Sequence, residues 1–340
     1  MAKTNKIGLS KSDYKGAPTT LCQGCGHNSI LSQVISACYE MDIAPEELVK
    51  FSGIGCSSKA PTYMLDRTFG FNGLHGRMPS IATGAVLGDT TLTGLAMSGD
   101  GDSVSIGMGQ FKHIIRRNVP LAYIIANNGT YGLTKGQLSA TSEVGLVLKK
   151  QAINEFKPIN ICFEAIASNA TFVARCFAGD PKQVKSLIKA ALRHNGTAII
   201  DIISPCVTFN NADTSMHSYN WGREHKTSLH DLSFIPARDE ITIEDFEEGT
   251  TQDVTMHDGS IIRLKKLEKD YDPTDRMAAV KILEEANANN WLLTGLIYIE
   301  PERPSLIDIL NLTETPLNRL TEKELRPGPE TIKEINKAMF

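Results

Sequence analysis

The residues Ser98-Gly99-Asp100-Gly101-Asp102 close one apolar run of the chain, and Asn127-Asn128 close the next. A carboxylate oxygen of Asp100, an amide oxygen of Asn128 and the backbone carbonyl of Thr130 would offer a magnesium ion three hard ligands. Phosphate oxygens and water would complete its octahedron. Gly99 and Gly101 let the backbone come close to a ligand, and the amides of Gly101 and Asp102, at the start of a helix, can bind phosphate. The stretch between the two motifs fits one crossover helix and one strand, which sets the two loops side by side. A lone Gly-Asp-Gly is ordinarily a turn. Followed at this distance by Asn-Asn, each after an apolar strand, it points to a metal-bound diphosphate.

The second chemical set is sulfur. Cys22 and Cys25 stand in CQGCGH, Cys56 in GIGCSSK and Cys206 in SPC. Four thiolates suit an iron–sulfur cluster or a structural zinc, and the residues alone do not separate the two. A Cys-x-x-Cys can also be a redox dithiol. Cys38 falls on the apolar face of a helix, and Cys162 and Cys176 lie near or in apolar segments. These three read as small buried hydrophobes.

The elements that must position these residues alternate between strand and helix from about residue 27 to 206. Strands are expected at 48–54, 92–97, 121–126, 171–177 and 197–203. Asn28 is expected to cap a helix bearing Ile30, Leu31, Val34, Ile35 and Cys38. Pro79 suits the first turn of a helix with Ile81, Ala82, Ala85 and Val86. Another helix is expected to carry Ile106, Phe111, Ile114 and Ile115, and Pro181 and Gly196 bracket one with Val184, Leu187, Ile188 and Leu192. Near-continuous apolar strands joined by helices imply an α/β fold with a doubly wound parallel sheet covered on both faces. Four strand ends run into the clusters around Cys56, Asp100, Asn128 and Cys206. Ligands of such sheets bind outside the carboxyl ends of the strands.

Beyond residue 225 a C-terminal extension, 226–340, is expected, following a ligand-binding domain over 1–225. Residues 240–249 are strongly acidic. Residues 253–264 alternate around Asp258-Gly259, a hairpin turn. Asp275 is expected to cap a helix through Ile282 and Leu283, residues 291–299 read as a late strand, and the tail RPGPETIKEINKAMF as a segment lying on a surface or against a partner. The net charge of -4 carries no sign of nucleic-acid binding. The N-terminus has no apolar core of a signal peptide, and no apolar run spans a bilayer. The expectation is a cytoplasmic protein, where four placed cysteines speak for metal or redox chemistry rather than disulfides.

The Gly-Asp-Gly and Asn-Asn pair resembles the thiamine-diphosphate motif of transketolases, decarboxylases and 2-oxoacid oxidoreductases. The ordered run CQGCGH, GIGCSSK, GLHGRMPSIATGA, SGDGD, NNGTYGLTKGQ and SPC resembles the β subunits of 2-oxoacid:ferredoxin oxidoreductases over about residues 15–225. PERPS and LRPGPE match more weakly, and YGLTKGQ looks most like the 2-oxoglutarate or broad-specificity branch. The resemblance implies that Cys22, Cys25, Cys56 and Cys206 ligate one [4Fe–4S] cluster, and that Asp100, Asn128 and Thr130 hold Mg²⁺ on thiamine diphosphate. Gly55, Cys56, Ser57, His75, Gly99, Gly101, Asp102, Gly132 and Leu133 would line the coenzyme. Lys59 matches a position that contacts the substrate carboxylate, and Leu133 and Lys135 positions that shape the 2-oxoacid pocket. His75 matches a residue near the coenzyme.

The implied activity is CoA-dependent oxidative decarboxylation of a 2-oxoacid, with electrons passing to ferredoxin and a possible reverse carboxylation. No carboxylate in the chain suits activation of the coenzyme's aminopyrimidine. In the family a partner α subunit supplies it, which implies an αβ or (αβ)₂ assembly that is inactive as the β chain alone. Two other readings stand beside this one. A non-oxidative thiamine-diphosphate decarboxylase or synthase would need no placed cysteines. A zinc- or cluster-binding interaction module would leave the Asp-Asn pair unexplained.

Overall fold

The apolar runs pair side by side. The computed structural model describes residues 4–148, 153–229, 251–255, 261–265, 271–326 and 328–339. The strands are β1 (Leu48–Ser52), β2 (Phe69–Asn72), β3 (Thr93–Gly99), β4 (Leu121–Asn127), β5 (Thr130–Tyr131), β6 (Gln137–Leu138), β7 (Phe172–Phe177), β8 (Thr197–Ile203), β9 (Lys226–Ser228), β10 (Thr251–Thr255), β11 (Ile261–Lys265) and β12 (Leu292–Ile299). Eight of them form one sheet in the order β2-β1-β3-β4-β8-β7-β12-β9. The pairings are parallel except that of β12 with β7.

The helices are α1 (Gly26–Glu40), α2 (Ala60–Tyr63), α3 (Met78–Gly88), α4 (Met108–Arg117), α5 (Ile161–Ala167), α6 (Pro181–Arg193), α7 (Tyr219–His225), α8 (Arg276–Ala288), α9 (Leu306–Leu310), α10 (Glu322–Leu325) and α11 (Pro329–Met339). Alternate strand residues face opposite layers. Ile124 joins Ile30, Val34, Leu187 and Ile188 of α1 and α6. Tyr123 and Ile125 join Ala82, Phe111, Ile114 and Leu283 of α3, α4 and α8. Every residue of β4 and β8 is buried, which is why those runs lack polar alternation. Full burial of each such Ile or Leu contributes about 1.5–3 kcal/mol.

The structure corrects several details. Cys25, not Asn28, precedes the first residue of α1. Asn28 lies within the first turn, and its Nδ2 donates to Cys22 O at 3.0 Å, so it braces the Cys22–Cys25 loop instead. The first strand stops at Ser52, and residues beyond it form a loop. Ile106 is 56% exposed, because a π-helical turn over Gly101–Ile106 precedes α4 and shifts its phase. Strand β2 and helix α5 carry no pattern that the sequence reading detected.

Asp275 caps α8 through its side chain, as expected. Strands β10 and β11 pair antiparallel. The Asp258-Gly259 turn between them and the acidic stretch 240–249 lie outside the described residues. No residue of α11 is buried. Among the described residues, no helix is long and apolar enough to cross a membrane.

Candidate active site

The sheet order reverses between β1 and β3. Strand β1 leads outward to β2, while β3 leads the other way to β4, and the loops beyond their carboxyl ends part to leave a crevice. A cavity of about 80 Å³ lies there. The loop after β1 supplies Gly55, Cys56 and Ser57, and the loop after β2 supplies His75. The loop after β3 supplies Gly99 to Asp102, and the loop after β4 supplies Asn128, Thr130, Gly132 and Leu133. Each position expected to line a coenzyme therefore faces this one space.

Asp100 is 2% exposed. Its Oδ2 accepts from Ser139 Oγ at 2.5 Å and Thr141 Oγ1 at 2.7 Å, and its Oδ1 accepts from the Asn128 amide at 3.4 Å. Burial pushes its carboxyl above the usual range. All these partners are neutral, so the carboxylate is buried with nothing but dipoles bonded to it. Asn128 Oδ1 and the Thr130 carbonyl stand in the same loop, accepting from Thr130 N and Gly132 N at 3.1 Å each. A buried carboxylate flanked by an amide oxygen and a carbonyl is a donor set suited to a hard divalent cation.

Asp102 has a different use. Its Oδ1 accepts from Gly76 N at 2.8 Å, Ile54 N at 3.1 Å and His75 Nδ1 at 2.5 Å, and its Oδ2 accepts from Ser98 Oγ. This one carboxylate clasps the loops after β1, β2 and β3. Gly101 is required by a neighbour: a Cβ there would come within 2.4 Å of the Tyr131 ring. His27 also lines the cavity. Its Nδ1 meets Ser204 Oγ at 2.8 Å, and burial lowers its pKa to about 4.

A second cavity of about 180 Å³ abuts the first. Cys22, Cys25, Cys56 and Cys206 all line it, with Lys59. Cys56, Asn128, Gly132 and Leu133 line both cavities. A Cβ on Gly132 would lie 3.5 Å from Cys56 Sγ and 3.7 Å from Cys206 Sγ. Burial, and then the neighbouring thiols Cys206, Cys56 and Cys22, push Cys25 up to about 11. Burial followed by Cys206 raises Cys56. Burial thus favours the neutral thiol at Cys25 and Cys56, and a bound metal group would favour their thiolates instead. Among the described residues no three His, Cys, Asp or Glu side chains stand close enough to hold a metal ion as they are.

Lys135 is not brought to either cavity. It is exposed, with φ +79°, and its amide donates to Gly132 O. Cys38, Cys162 and Cys176 are fully buried in the core. Sequence reasoning missed Ser139 and Thr141, which hold Asp100, because hydroxyls in a loop carry no spacing signal. It also missed Asn210 and His217, which reach Asn128 and Asn127 at the end of β4 from the segment after β8. A further cavity of about 290 Å³ lies at the opposite end of β3 and β4, against Thr91, Pro120 and Asn195, and holds none of these groups.

Residues 53–202 match the family model described as thiamine pyrophosphate enzyme, C-terminal TPP binding domain. Residues 262–314 match the model for the C-terminal part of the pyruvate ferredoxin oxidoreductase β chain. The chain is 44% identical over 197 residues to the 2-oxoacid:ferredoxin oxidoreductase subunit beta of Saccharolobus solfataricus, covering 57% of this chain and 64% of that one. It is 40% identical over 190 residues to the 2-oxoglutarate oxidoreductase subunit KorB of Mycobacterium tuberculosis, covering 56% and 50%. These matches span less than two thirds of either relative. The structure of 2-oxoglutarate:ferredoxin oxidoreductase from Magnetococcus marinus, with 2-oxoglutarate, coenzyme A and succinyl-CoA bound, superposes with a TM-score of 0.73. The identity there is 31%, over 92% of each chain.

Proposed function

Because this chain belongs to the β subunits of 2-oxoacid:ferredoxin oxidoreductases, we propose that it carries the coenzyme and redox half of a CoA-dependent 2-oxoacid oxidoreductase, with 2-oxoglutarate as the favoured substrate and pyruvate as a second. The wall that Cys56, Asn128, Gly132 and Leu133 share between the two cavities carries this reading.

Thiamine diphosphate supplies the nucleophile and electron sink that 2-oxoacid decarboxylation requires, and a [4Fe–4S] cluster a one-electron acceptor. Asp100, Asn128 and Thr130 hold Mg²⁺ against the diphosphate. Cys22, Cys25, Cys56 and Cys206 ligate the cluster. Lys59, in the turn that follows Cys56, binds the substrate carboxylate by charge-assisted hydrogen bonds. His75 donates Nδ1–H to Asp102, which fixes the ring and leaves Nε2 to accept a proton or hydrogen bond at the cavity. Leu133 bounds the substrate space, and Lys135, which lies outside both cavities, would shape the 2-oxoacid pocket from its rim.

The activating carboxylate comes from a partner α subunit, in an (αβ)₂ assembly. Ferredoxin takes the electrons and coenzyme A the acyl group, and the direction can reverse when low-potential electrons are supplied. The exposed Phe69, Leu74 and Ile106 in and beyond the elements that carry His75 and Asp102 supply apolar surface for that partner.

The test is anaerobic co-purification with the α subunit, followed by viologen reduction on a panel of 2-oxoacids with coenzyme A. Activity is expected with 2-oxoglutarate, with thiamine diphosphate, iron and sulfide present, and none from the β chain alone. A complex that decarboxylates without reducing viologen would instead favour a non-oxidative thiamine enzyme.

A further inference from the structure

The segment after β8 touches both candidate sites. Cys206 lines the thiol cavity. Asn210, four residues on and 1% exposed, donates its backbone N–H to Cys206 O at 2.9 Å. Residues 206 and 210 form an isolated antiparallel bridge. The Asn210 side chain then reaches across, and Nδ2 donates to Asn128 O at 3.0 Å. Asn128 is the residue whose amide oxygen stands in the metal donor set. One side chain thus ties the main chain of the thiol loop to that of the metal loop.

Two observations indicate that the donor is what this position is built around. Gly129, the residue after Asn128, has φ +66°, and a Cβ there would come within 2.9 Å of both Asn210 Nδ2 and His217 Cε1. The backbone is therefore kept bare for this approach. Asn210 Oδ1 is buried and has no hydrogen-bond partner among the described residues, an arrangement that costs stability. Exchanging the amide oxygen and nitrogen would set acceptor against the Asn128 carbonyl, so the amide is oriented by its donor alone. A leucine of similar size would avoid the orphaned acceptor but would leave the Asn128 carbonyl without this bond.

We propose that Asn210 is a positioning residue that couples the two cofactor sites, fixing the Asn128 peptide relative to the Cys206 loop. The inference rests on the functional reading above, in which both sites are loaded. Coupling between sites is reciprocal. A Cys206 loop held by its cluster presets Asn128 for the metal diphosphate, and a filled diphosphate site alters the cluster's surroundings.

The test uses the anaerobically co-purified complex in three forms: wild type, Asn210→Leu and Asn210→Ala. Two quantities are read: the affinity for Mg²⁺–thiamine diphosphate by calorimetry, and the midpoint potential of the cluster with and without the diphosphate. In the wild type the potential is expected to move on diphosphate binding. Both variants are expected to bind the diphosphate about 10–100-fold more weakly and to lose that movement, with iron content retained. Asn210→Leu is expected to unfold near the wild-type midpoint, since the orphaned acceptor it removes offsets the Asn128 carbonyl it leaves unbonded.

Wild-type affinity and potential movement in both variants would overturn the proposal. So would a loss confined to Asn210→Ala, which would assign the effect to packing. A wild-type complex without iron, or without diphosphate binding, would instead refute the functional reading, and this inference with it.

Discussion

The Thr141 hydroxyl donates to Asp100 Oδ2 at 2.7 Å, with Asn127 Oδ1 3.0 Å away as a second acceptor. The other carboxylate oxygen accepts the longer, 3.4 Å bond from the Asn128 amide. Thr141→Val keeps the shape and removes the donor. Calorimetry on the co-purified complex should show an affinity for Mg²⁺–thiamine diphosphate roughly 10-fold lower. Stability should fall by about 1 kcal/mol. Unchanged affinity would mean that Asp100 needs no such support.

The two aspartates of the Gly-Asp-Gly-Asp run should fail in different ways. Asp102→Ala leaves the Ile54 and Gly76 amides without their acceptor, and urea unfolding should report a loss of about 2–4 kcal/mol. Asp100→Asn keeps the volume and removes a carboxylate held in a costly environment, so the chain should lose metal-dependent coenzyme binding while unfolding at nearly the same urea concentration. Equal destabilisation by both would contradict the division of labour between them.

Arg175 donates Nε–H to Asp201 Oδ2 at 2.8 Å, both residues being buried beneath the loop after β4, and Asn127 Nδ2 donates to Asp201 Oδ1 at 3.1 Å. Arg175→Met alone strands a buried carboxylate and should cost about 3–5 kcal/mol. Arg175→Met with Asp201→Asn should cost less than the sum of the two single changes. Additive costs in denaturant titrations would show that the pair is not an energetic unit.

Much of this architecture was legible in the sequence. The five expected strands and their parallel order follow from runs such as 121–126, apolar throughout because both faces are covered, and 197–203, apolar but for Thr197 and Asp201. Cys56, Asp100, Asn128 and Cys206 were grouped because each follows a strand that ends at the same edge. What stayed hidden was contact between remote loops. Ser139 and Thr141 reach Asp100 from a loop about forty residues on, and Asn210 reaches Asn128 from farther still. Hydroxyls and amides in loops have no periodicity, and only the closed fold pairs them. Strand β2 was missed because its four residues are exposed on the sheet edge, and the alternation of Phe-Gly-Phe-Asn is too short and glycine-broken to read as a strand. The phase of α4 was misread because a π-helical turn precedes it.

His194 should make stability depend on pH. Burial lowers its pKa from 6.5 to about 4, and its Nε2 bonds Thr171 Oγ1 at 2.7 Å. In the unfolded chain the ring takes up a proton below about pH 6.5, while in the fold it does so only near pH 4. The stabilisation from this group is therefore complete above pH 6.5 and lost as pH falls toward 4. The thermal midpoint of His194→Gln should fall less between pH 7 and pH 5 than that of the wild type. Parallel decline of the two would contradict burial of a neutral ring.

Anaerobic electron paramagnetic resonance of the α–β complex after addition of 2-oxoglutarate tests whether the thiol cavity and the diphosphate cavity work as neighbours through one wall. A reduced-cluster signal is expected when Mg²⁺–thiamine diphosphate is bound, and none without it or after Cys206→Ser. A complex loaded with iron and coenzyme whose cluster stays oxidised on addition of substrate would contradict it.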